Sequence, residues 1–246
     1  MTASVAGRIL GLIDLTNLAD DCDRDDVVAL CRRAHGRHGS VAAVCVWPRF
    51  VVTAVEELRG TPVKVATVVN FPHGTDALED VLASADSCAR DGADEIDLVI
   101  PYRELGSGSS GDHAVVQMVA KVKQSVPPTV LLKTILETGE LGSIESIEHA
   151  AALCIASGAD YIKTSTGKTE VSATPEAVEA MLRVLRATPR VERRVGVKPS
   201  GGIRTVADAR VYLDLADRIM GPDWATADTF RFGASGLLDA VESELA

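Results

Sequence analysis

The hydrophobic and polar positions of this chain follow two patterns, and the pair of patterns recurs eight times. A short apolar run rich in β-branched residues predicts a buried strand, and the longer amphipathic run after it predicts a helix. The predicted strands cover residues 10–15, 42–47, 63–70, 95–100, 129–134, 161–164, 195–199 and 230–233. The predicted helices cover residues 25–36, 48–58, 75–91, 112–124, 143–157, 175–187, 205–215 and 235–244.

Repeated strand and helix units favour a parallel sheet, because each helix returns the chain to the end where the next parallel strand starts. Eight such units can close into a (β/α)8 TIM barrel, and 246 residues accommodate one barrel as a single domain over residues 1–246. An internal repeat supports closure, since residues 88–97 and 154–163 each contain a helix end, a Gly-Ala-Asp turn and a strand. The sequence therefore predicts an α/β protein with the (β/α)8 fold.

The chain lacks the sequence signatures of two other phosphate-binding architectures. An open doubly wound sheet carries Gly-x-Gly-x-x-Gly after its first strand, but here the residue after Leu15 is Thr16. A P-loop requires a glycine five positions before the Gly-Lys-Thr at 167–169, and that position is Ile162. The stretch rich in glycine and serine at 106–111 is interpreted as a flexible loop.

Composition and charge narrow the classes of partner. The formal net charge is −10 and the basic residues are scattered, which argues against nucleic-acid binding but not against a small anionic substrate. No window has the ~18 to 20 apolar residues of a membrane span. Residues 1–8 do not resemble a secretory leader, so a cytoplasmic protein without a membrane partner is expected. The five cysteines form no Cys-x-x-Cys pair and the five histidines form no ligand cluster, so neither disulfides nor a metal or other cofactor is expected.

Polar residues recur at the carboxyl ends of the predicted strands, where (β/α)8 enzymes place their reacting groups. These residues are Asp14, Thr16, Cys45, Asn70, Asp97, Lys133, Lys163 and Lys198. A single lysine at a strand end is usually a surface residue with its ammonium group in water. Three lysines together with an inward-facing acid weaken that interpretation, because buried charges need partners. His73, which follows the third strand, is interpreted as a structural loop residue.

The lysines indicate imine chemistry. Two ammonium groups about 5 Å apart at an effective dielectric constant near 20 repel by roughly 3 kcal/mol, which brings one pKa down from ~10.4 by about 2. An amine with such a pKa is a nucleophile at cellular pH and attacks carbonyl groups. In this hypothesis Lys163 attacks, Lys198 stays protonated and Asp97 transfers protons. The spacing of the strands does not decide which of the three lysines attacks.

Two loops that contain glycine predict a phosphate site. Gly201 and Gly202 follow the seventh strand, and Ser235 and Gly236 follow the eighth strand and begin the last helix. Loops in these positions hold phosphate in (β/α)8 enzymes through backbone amides and a helix N-terminus. Gly201 and Gly202 alone are also compatible with a plain tight turn. The second loop favours phosphate.

Motifs spread over nearly the whole chain resemble the deoxyribose-phosphate aldolase family. They are Asp-Leu-Thr at 14–16, Val-Cys-Val-Trp-Pro-Arg-Phe at 44–50, Asn-Phe-Pro-His-Gly at 70–74, Asp-Glu-Ile-Asp at 94–97, Leu-Lys-Thr-Ile-Leu-Glu-Thr at 132–138, Tyr-Ile-Lys-Thr-Ser-Thr-Gly-Lys at 161–168, Val-Lys-Pro-Ser-Gly-Gly-Ile-Arg at 197–204 and Arg-Phe-Gly-Ala-Ser at 231–235. The resemblance implies a metal-free class I aldolase that reversibly cleaves 2-deoxy-D-ribose 5-phosphate to acetaldehyde and D-glyceraldehyde 3-phosphate. It implies Lys163 as the Schiff-base lysine, Lys198 as the residue that perturbs its pKa and Asp97 as the proton-transfer acid.

The resemblance also implies a homodimer or larger homo-oligomer and a set of substrate and phosphate contacts. The contacts that it implies are Gly167, Lys168, Gly201, Gly202, Ser235 and Gly236, and Cys45 matches a pocket cysteine of the family that need not be catalytic. Asp14, Thr16 and Lys133, which are polar residues at the ends of predicted strands, are predicted to contact the substrate as well. Two features depart from the family pattern. Gly236 stands where some members have a second serine, and the sequence ends at Ala246 without the C-terminal tyrosine of some members.

Two other functions stay open on the residues alone. A phosphosugar isomerase or a non-covalent lyase of the same fold would use Asp97 as a base, but it leaves the pairing of Lys163 and Lys198 without a role. A non-catalytic phosphosugar-binding barrel is expected to lack one of the lysines or the acid, and all three residues are present.

Overall fold

The computed structural model describes residues 4–106, 108–188 and 194–246, and within them eight parallel strands form a barrel. The barrel strands are β1 Ile13–Thr16, β2 Ala43–Val46, β3 Lys64–Val69, β4 Glu95–Val99, β5 Leu131–Ile135, β6 Tyr161–Lys163, β7 Gly196–Lys198 and β8 Phe232–Ala234. The α-helices are α1 Val5–Leu10, α2 Arg24–Ala34, α3 Val51–Glu57, α4 Leu78–Arg90, α5 Ser109–Ser125, α6 Ile144–Ala156, α7 Pro175–Ala187, α8 Val206–Met220 and α9 Leu237–Leu245.

The barrel strands pair in chain order from β1 to β7, and β8 pairs with β1. The remaining gap, between β7 and β8, closes through single bridges from Val197 to Phe230 and from Ser200 to Gly233. The N–H of Gly233 donates to the carbonyl of Pro199 at 2.9 Å across this gap. Helices α2 to α9 follow the eight strands one by one. The predicted (β/α)8 TIM barrel is confirmed.

The sequence-based prediction lacks an N-terminal helix and a short pair of strands. Helix α1, capped by Ser4, ends at the residue where the first predicted strand, 10–15, begins. The hydrophobic pattern does not show where this helix ends and the strand begins, because the end of the helix and the strand after it are both buried. A short antiparallel pair, His35–Gly36 with Gly39–Ser40, follows α2 and replaces the predicted end of that helix.

Helix boundaries agree best with prediction where the sequence contains a cap. Helix α7 has the predicted bounds because Thr174 caps it and Pro175 occupies its first position. Helix α8 continues to Met220 rather than ending at 215, and α5 begins at Ser109, inside the stretch 106–111 that was interpreted as a loop. Residue 107 of that stretch lies outside the described residues.

A tyrosine fills space that a glycine leaves inside the barrel. Tyr161 of β6 and Gly196 of β7 are paired in register, and a Cβ at Gly196 would overlap the Tyr161 ring. Tyr161 is 1% exposed, and its hydroxyl donates to the carbonyl of Ala227 at 2.7 Å. Packing inside the barrel therefore depends on a large side chain at 161 and on the absence of a side chain at the neighbouring position 196.

Each of the five cysteines is buried and has a free thiol. Among the residues that the structure describes, no helix has the length and apolar composition needed to cross a membrane.

Replacing Gly196 with alanine is expected to destabilise the barrel, because the added Cβ would overlap the Tyr161 ring. Overpacking of this kind costs about 1 to 3 kcal/mol. Urea unfolding measures the change in the free energy of unfolding. Gly11→Ala is the matched control, since no atom lies within 4 Å of its Cβ position and its φ of −70° suits alanine. Equal stability of the two variants would contradict the packing argument.

Candidate active site

Asp97 of β4 contacts three lysine ammonium groups in the interior of the barrel. Its Oδ2 accepts hydrogen bonds from Lys163 Nζ and Lys198 Nζ, each at 2.7 Å, and its Oδ1 accepts one from Lys133 Nζ at 2.9 Å. Lys163 is 3% exposed, and the other three residues have no exposed surface. The structure therefore brings together the three residues that the sequence selects for catalysis.

Three further charged residues, Asp14, Glu95 and Arg231, extend this group into one buried charge cluster. Lys198 Nζ lies 2.6 Å from Asp14 Oδ2, and Lys133 Nζ lies 2.5 Å from Glu95 Oε2. Arg231 donates from Nη1 to Asp14 Oδ1 at 2.6 Å and from Nη2 to Glu95 Oε1 at 2.9 Å. Each charge in the cluster therefore has a partner of opposite sign, as buried ions require.

The register of the strands explains why these residues converge. Asp97 pairs with Lys133 on the adjacent strand, and Lys163 pairs with Lys198. Glu95 lies two residues before Asp97 and therefore on the same face of β4. Lys163 and Lys198 are the last residues of β6 and β7, so their amines reach the carboxyl end of the barrel.

The three amines differ in their surroundings, and this difference separates their pKa values. Burial lowers the pKa of Lys163, and the carboxylate of Asp97 only partly opposes it. Burial also acts on Lys198, but Asp14 and Asp97 outweigh it and raise the pKa of Lys198. Burial of Lys133 is outweighed by three carboxylates, which hold its pKa well above the usual value. Lys163 is therefore the amine that loses its proton most readily.

The main cause of the low pKa of Lys163 differs from the sequence-based expectation, which is repulsion by Lys198. Burial of Lys163 lowers its pKa most, and repulsion by Lys198 adds to that effect. Both nitrogens lie 2.7 Å from one oxygen of Asp97, so they are at most twice that distance apart and repel directly. Burial raises the pKa of Asp97, but the lysines around it outweigh burial and hold that pKa well below its usual range.

Thr16 and Cys45 are paired in register on β1 and β2. Thr16 Oγ1 donates to the carbonyl of Asp14 at 2.9 Å. Cys45 is fully buried in a small apolar cluster that includes Leu18 and Val68. Burial raises the pKa of the Cys45 thiol, so this side chain is a neutral part of the wall beside the charge cluster.

The loop after β6 carries Gly167 and Lys168 and is held by a buried glutamate. Glu137 has no exposed surface and accepts hydrogen bonds from Thr166 Oγ1 at 2.5 Å and from the Thr166 N–H at 3.3 Å. Gly167 has a φ of 79°, a conformation that favours glycine. Lys168 Nζ contacts Asp20 at 3.2 Å, and its side chain is 33% exposed, so this ammonium group lies at the surface of the mouth.

The loop after β7 touches the loop after β6 and β8. A Cβ at Gly201 would overlap Ser172 and lie 3.5 Å from Gly167 Cα, so only glycine allows this approach. The N–H of Gly201 donates to the carbonyl of Gly233 on β8 at 3.3 Å. Gly202 follows with a φ of 80°. The loops after β6 and β7 and strand β8 therefore meet at one side of the barrel mouth.

Ser235 and Gly236 connect β8 to helix α9. Ser235 is exposed, and Gly236 occupies the N-cap position of α9, where no side chain caps the helix. A helix N-terminus presents backbone N–H groups and positive potential. This segment therefore combines an exposed serine hydroxyl with the start of a helix, and its contact with an anion stays a prediction.

Lys133 lies deeper than the sequence-based prediction places it. The predicted fifth strand ends at 134, which puts Lys133 at the strand end near the mouth, and Lys133 is predicted to be a substrate contact. Strand β5 instead continues to Ile135, so Lys133 is its middle residue. Its ammonium group contacts Asp14, Glu95 and Asp97 and has no exposed surface, so it does not open toward the mouth.

Three residues of the site, Glu95, Arg231 and Glu137, are missing from the sequence-based prediction. The two-residue alternation of a strand could have identified Glu95 and Arg231 as inward-facing. Glu95 lies two residues before Asp97, and Arg231 lies two residues before the inward position Gly233. Glu137 gives no such signal, because it lies after the end of β5 with a φ of 53°, outside the regular alternation of a strand.

His73 is exposed, and its carbonyl accepts a hydrogen bond from Arg103 Nη1 at 2.8 Å, in keeping with a structural loop role. Within the described ranges, no group of three or more His, Cys, Asp and Glu side chains is arranged to hold a metal ion.

Comparisons with known proteins cover almost the whole chain. It is 50% identical over 242 residues to the deoxyribose-phosphate aldolase of Agrobacterium fabrum, with 98% of this chain and 92% of that protein covered. A crystal structure of a candidate deoxyribose-phosphate aldolase from Coccidioides immitis matches with a TM-score of 0.85 at 31% identity, covering 99% of this chain and 88% of that one. A tetrameric deoxyribose phosphate aldolase from Aeropyrum pernix matches with a TM-score of 0.77 at 28% identity, covering 98% and 91% of the two chains.

A family model for DeoC/LacD family aldolases matches residues 8–238, which span all eight barrel strands and the cluster around Asp97. The chain therefore belongs to the DeoC/LacD family of aldolases.

Proposed function

We propose that this chain is a class I aldolase that reversibly cleaves 2-deoxy-D-ribose 5-phosphate to acetaldehyde and D-glyceraldehyde 3-phosphate through a Schiff base on Lys163. One observation carries the proposal: a single oxygen of Asp97 contacts both Lys163 and Lys198 at 2.7 Å in a buried site. The identity of 50% with an aldolase named for this substrate supports the choice of sugar. Residues 1–246 act as one catalytic domain in this proposal.

Imine formation starts from the neutral amine of Lys163. Its nitrogen attacks C1 of the open-chain sugar, and the nitrogen releases a proton as the C–N bond forms. Asp97 Oδ2 contacts this nitrogen and can pass the proton to the oxygen of the former carbonyl, directly or through a water molecule. The hydroxyl group formed in this way takes a second proton, which Lys198 Nζ can supply because it contacts the same oxygen of Asp97, and it leaves as water when the carbinolamine becomes the iminium ion.

Cleavage then breaks the bond between C2 and C3. The C3 hydroxyl loses its proton and becomes the aldehyde of glyceraldehyde 3-phosphate, while the electrons of the C2–C3 bond move to the iminium nitrogen and give an enamine. Protonation of the enamine at C2 and addition of water release acetaldehyde and regenerate the amine of Lys163. Asp97 and Lys198 are the acid and base groups nearest to these steps.

The charges of the cluster favour a neutral Lys163. Within the described part of the chain, the cluster contains four basic side chains, from three lysines and Arg231, and three carboxylates. Loss of one proton therefore makes the cluster neutral, and a buried cluster without net charge is the less costly state. Lys163 has the fewest carboxylate partners among the lysines, so it is the residue that loses this proton.

The phosphate group is proposed to bind at the loops after β6, β7 and β8. Gly167, Gly201 and Gly202 allow the backbone to approach a phosphate closely. Lys168 and the N-terminus of α9 at Ser235 and Gly236 supply positive potential. We propose in addition that the chain forms a homo-oligomer, for which the tetrameric relative from Aeropyrum pernix is the support.

Borohydride reduction in the presence of acetaldehyde is expected to attach an ethyl group to Lys163, because reduction traps the imine. Peptide mass mapping identifies the modified lysine. Lys163→Arg is expected to lose both trapping and sugar cleavage, by about 10³-fold or more, since arginine cannot form the imine. Lys64→Arg is the control, because Lys64 is an exposed residue in a surface ion pair with Asp94. An adduct on Lys133 or Lys198 would reassign the nucleophile, and no adduct would refute the mechanism.

The rate of imine formation is expected to rise with pH and to level off below the ~10.4 of an ordinary lysine. The sign follows from the lowered pKa of Lys163, because only its unprotonated form attacks. Lys198→Met removes a positive charge that lowers this pKa, so the midpoint of the rise is expected to move to higher pH. Single-turnover trapping across a pH series measures both midpoints. A wild-type midpoint at the ordinary lysine value would contradict the expectation.

Arg231→Met is expected to lower the free energy of unfolding by about 3 to 5 kcal/mol, because it leaves buried carboxylates short of a partner. It also removes one positive charge from the cluster, which is expected to raise the pKa of Lys163 and the midpoint of imine formation. Urea unfolding and the trapping series measure the two effects. The double variant Glu95→Gln/Arg231→Met removes a charge of each sign and is expected to recover part of both losses. If the losses in the double variant equal the sum of the losses in the two single variants, Glu95 and Arg231 are not coupled and the expectation is wrong.

A further inference from the structure

A serine follows each of the two central lysines at the same interval. Ser165 lies two residues after Lys163, and Ser200 lies two residues after Lys198. The two lysines are paired in register, so the two serines lie at one level, one step nearer the mouth. Both serines are buried, at 0% and 4% exposure, and neither hydroxyl has a hydrogen-bond partner among the described residues.

The hydroxyl of Ser200 points into the barrel beside Lys198. A Cβ at Gly233 would overlap Ser200 Oγ and would lie 3.1 Å from Lys198 Cε, so glycine on β8 leaves room for both side chains. Gly233 and Ser200 also form the bridge that closes the barrel. The closure therefore holds the backbone of Ser200, and its Oγ occupies space that Gly233 leaves free.

The neighbouring threonine shows that the backbone around Ser200 already has its hydrogen bonds. Thr164 Oγ1 donates to the Ser200 carbonyl at 3.3 Å and accepts from the Ser200 N–H at 3.0 Å. The serine hydroxyl is the polar group that remains. A buried hydroxyl without a partner costs about 1 to 3 kcal/mol, so such groups are rare and call for an explanation.

The order of groups from the interior to the mouth matches the order of groups along the proposed substrate. The amine of Lys163 would hold C1, and the loop glycines Gly167 and Gly201 would hold the phosphate on C5. A step of two residues along a strand is about 6.6 Å, which places the serine hydroxyls between these two ends. The carbons of the substrate between the same two ends, C3 and C4, carry its hydroxyl groups.

We propose that Ser200 binds a hydroxyl group on the part of the sugar phosphate that leaves as glyceraldehyde 3-phosphate, and that it is a specificity-determining residue of this enzyme. The inference rests on the proposed function and names one further contact within it. The free hydroxyl destabilises the empty protein and gains its partner when the substrate binds.

Ser200→Ala tests this role through three measurements on the full chain. We expect kcat/KM for cleavage of 2-deoxyribose 5-phosphate to fall about tenfold, the loss that corresponds to one hydrogen bond. The rate of borohydride trapping with acetaldehyde is expected to stay unchanged, because acetaldehyde has no hydroxyl group. The Tm is expected to stay the same or rise, because the substitution removes an unpaired buried polar group.

Ser125→Ala is the matched control, because Ser125 Oγ donates to the carbonyl of Val122 at 2.9 Å at the end of α5, and its loss should leave kcat/KM unchanged. An unchanged kcat/KM in Ser200→Ala would overturn the inference. A loss of cleavage that is accompanied by an equal loss of trapping or by a lower Tm would also overturn it, since that pattern indicates a structural role. Absence of trapping in the wild-type chain would instead refute the proposed function itself.

Discussion

The carboxylate of Asp97 is the contact on which the rest of the site depends. One of its oxygens accepts hydrogen bonds from Lys163 and Lys198, and the other accepts one from Lys133. Without this anion, three ammonium groups would lie together in a buried space, where their repulsion and desolvation would oppose folding. Because the same anion is shared by three cations, it stabilises each of them only in part. The least supported amine, Lys163, is then the one with the lowered pKa.

The barrel makes this arrangement possible by joining strands that are distant in the chain. Asp97 and Lys198 come from strands that are not neighbours in the sheet, and their side chains meet only because the sheet closes on itself. Closure requires glycine at the two strands next to the gap. Gly196 leaves room for the Tyr161 ring, and Gly233 leaves room for groups on β7. The positions without a side chain therefore shape the interior as much as the charged residues do.

Charge pairing links the stability of the barrel to its proposed chemistry. Arg231 contacts Asp14 and Glu95, and neither of these carboxylates contacts Lys163. They still affect Lys163, because they hold Lys133 and Lys198 in the protonated form, and those two cations share Asp97 with it. The residues that hold the cluster together and the residue proposed to react therefore belong to one electrostatic unit, which explains why a site of this kind is buried so deeply.

The sequence by itself determined the number and order of the eight barrel strands and of the helices that follow them, and the face on which Lys163 and Asp97 lie, because apolar periodicity and two-residue alternation are local properties. It also determined where α7 begins, through Thr174 and Pro175. Only the tertiary structure decided how far each side chain lies from the mouth. Strand register and closure of the sheet set the depth of Lys133, and they also decide which amines share one oxygen of Asp97. Register and closure arise from contacts between residues far apart in the chain.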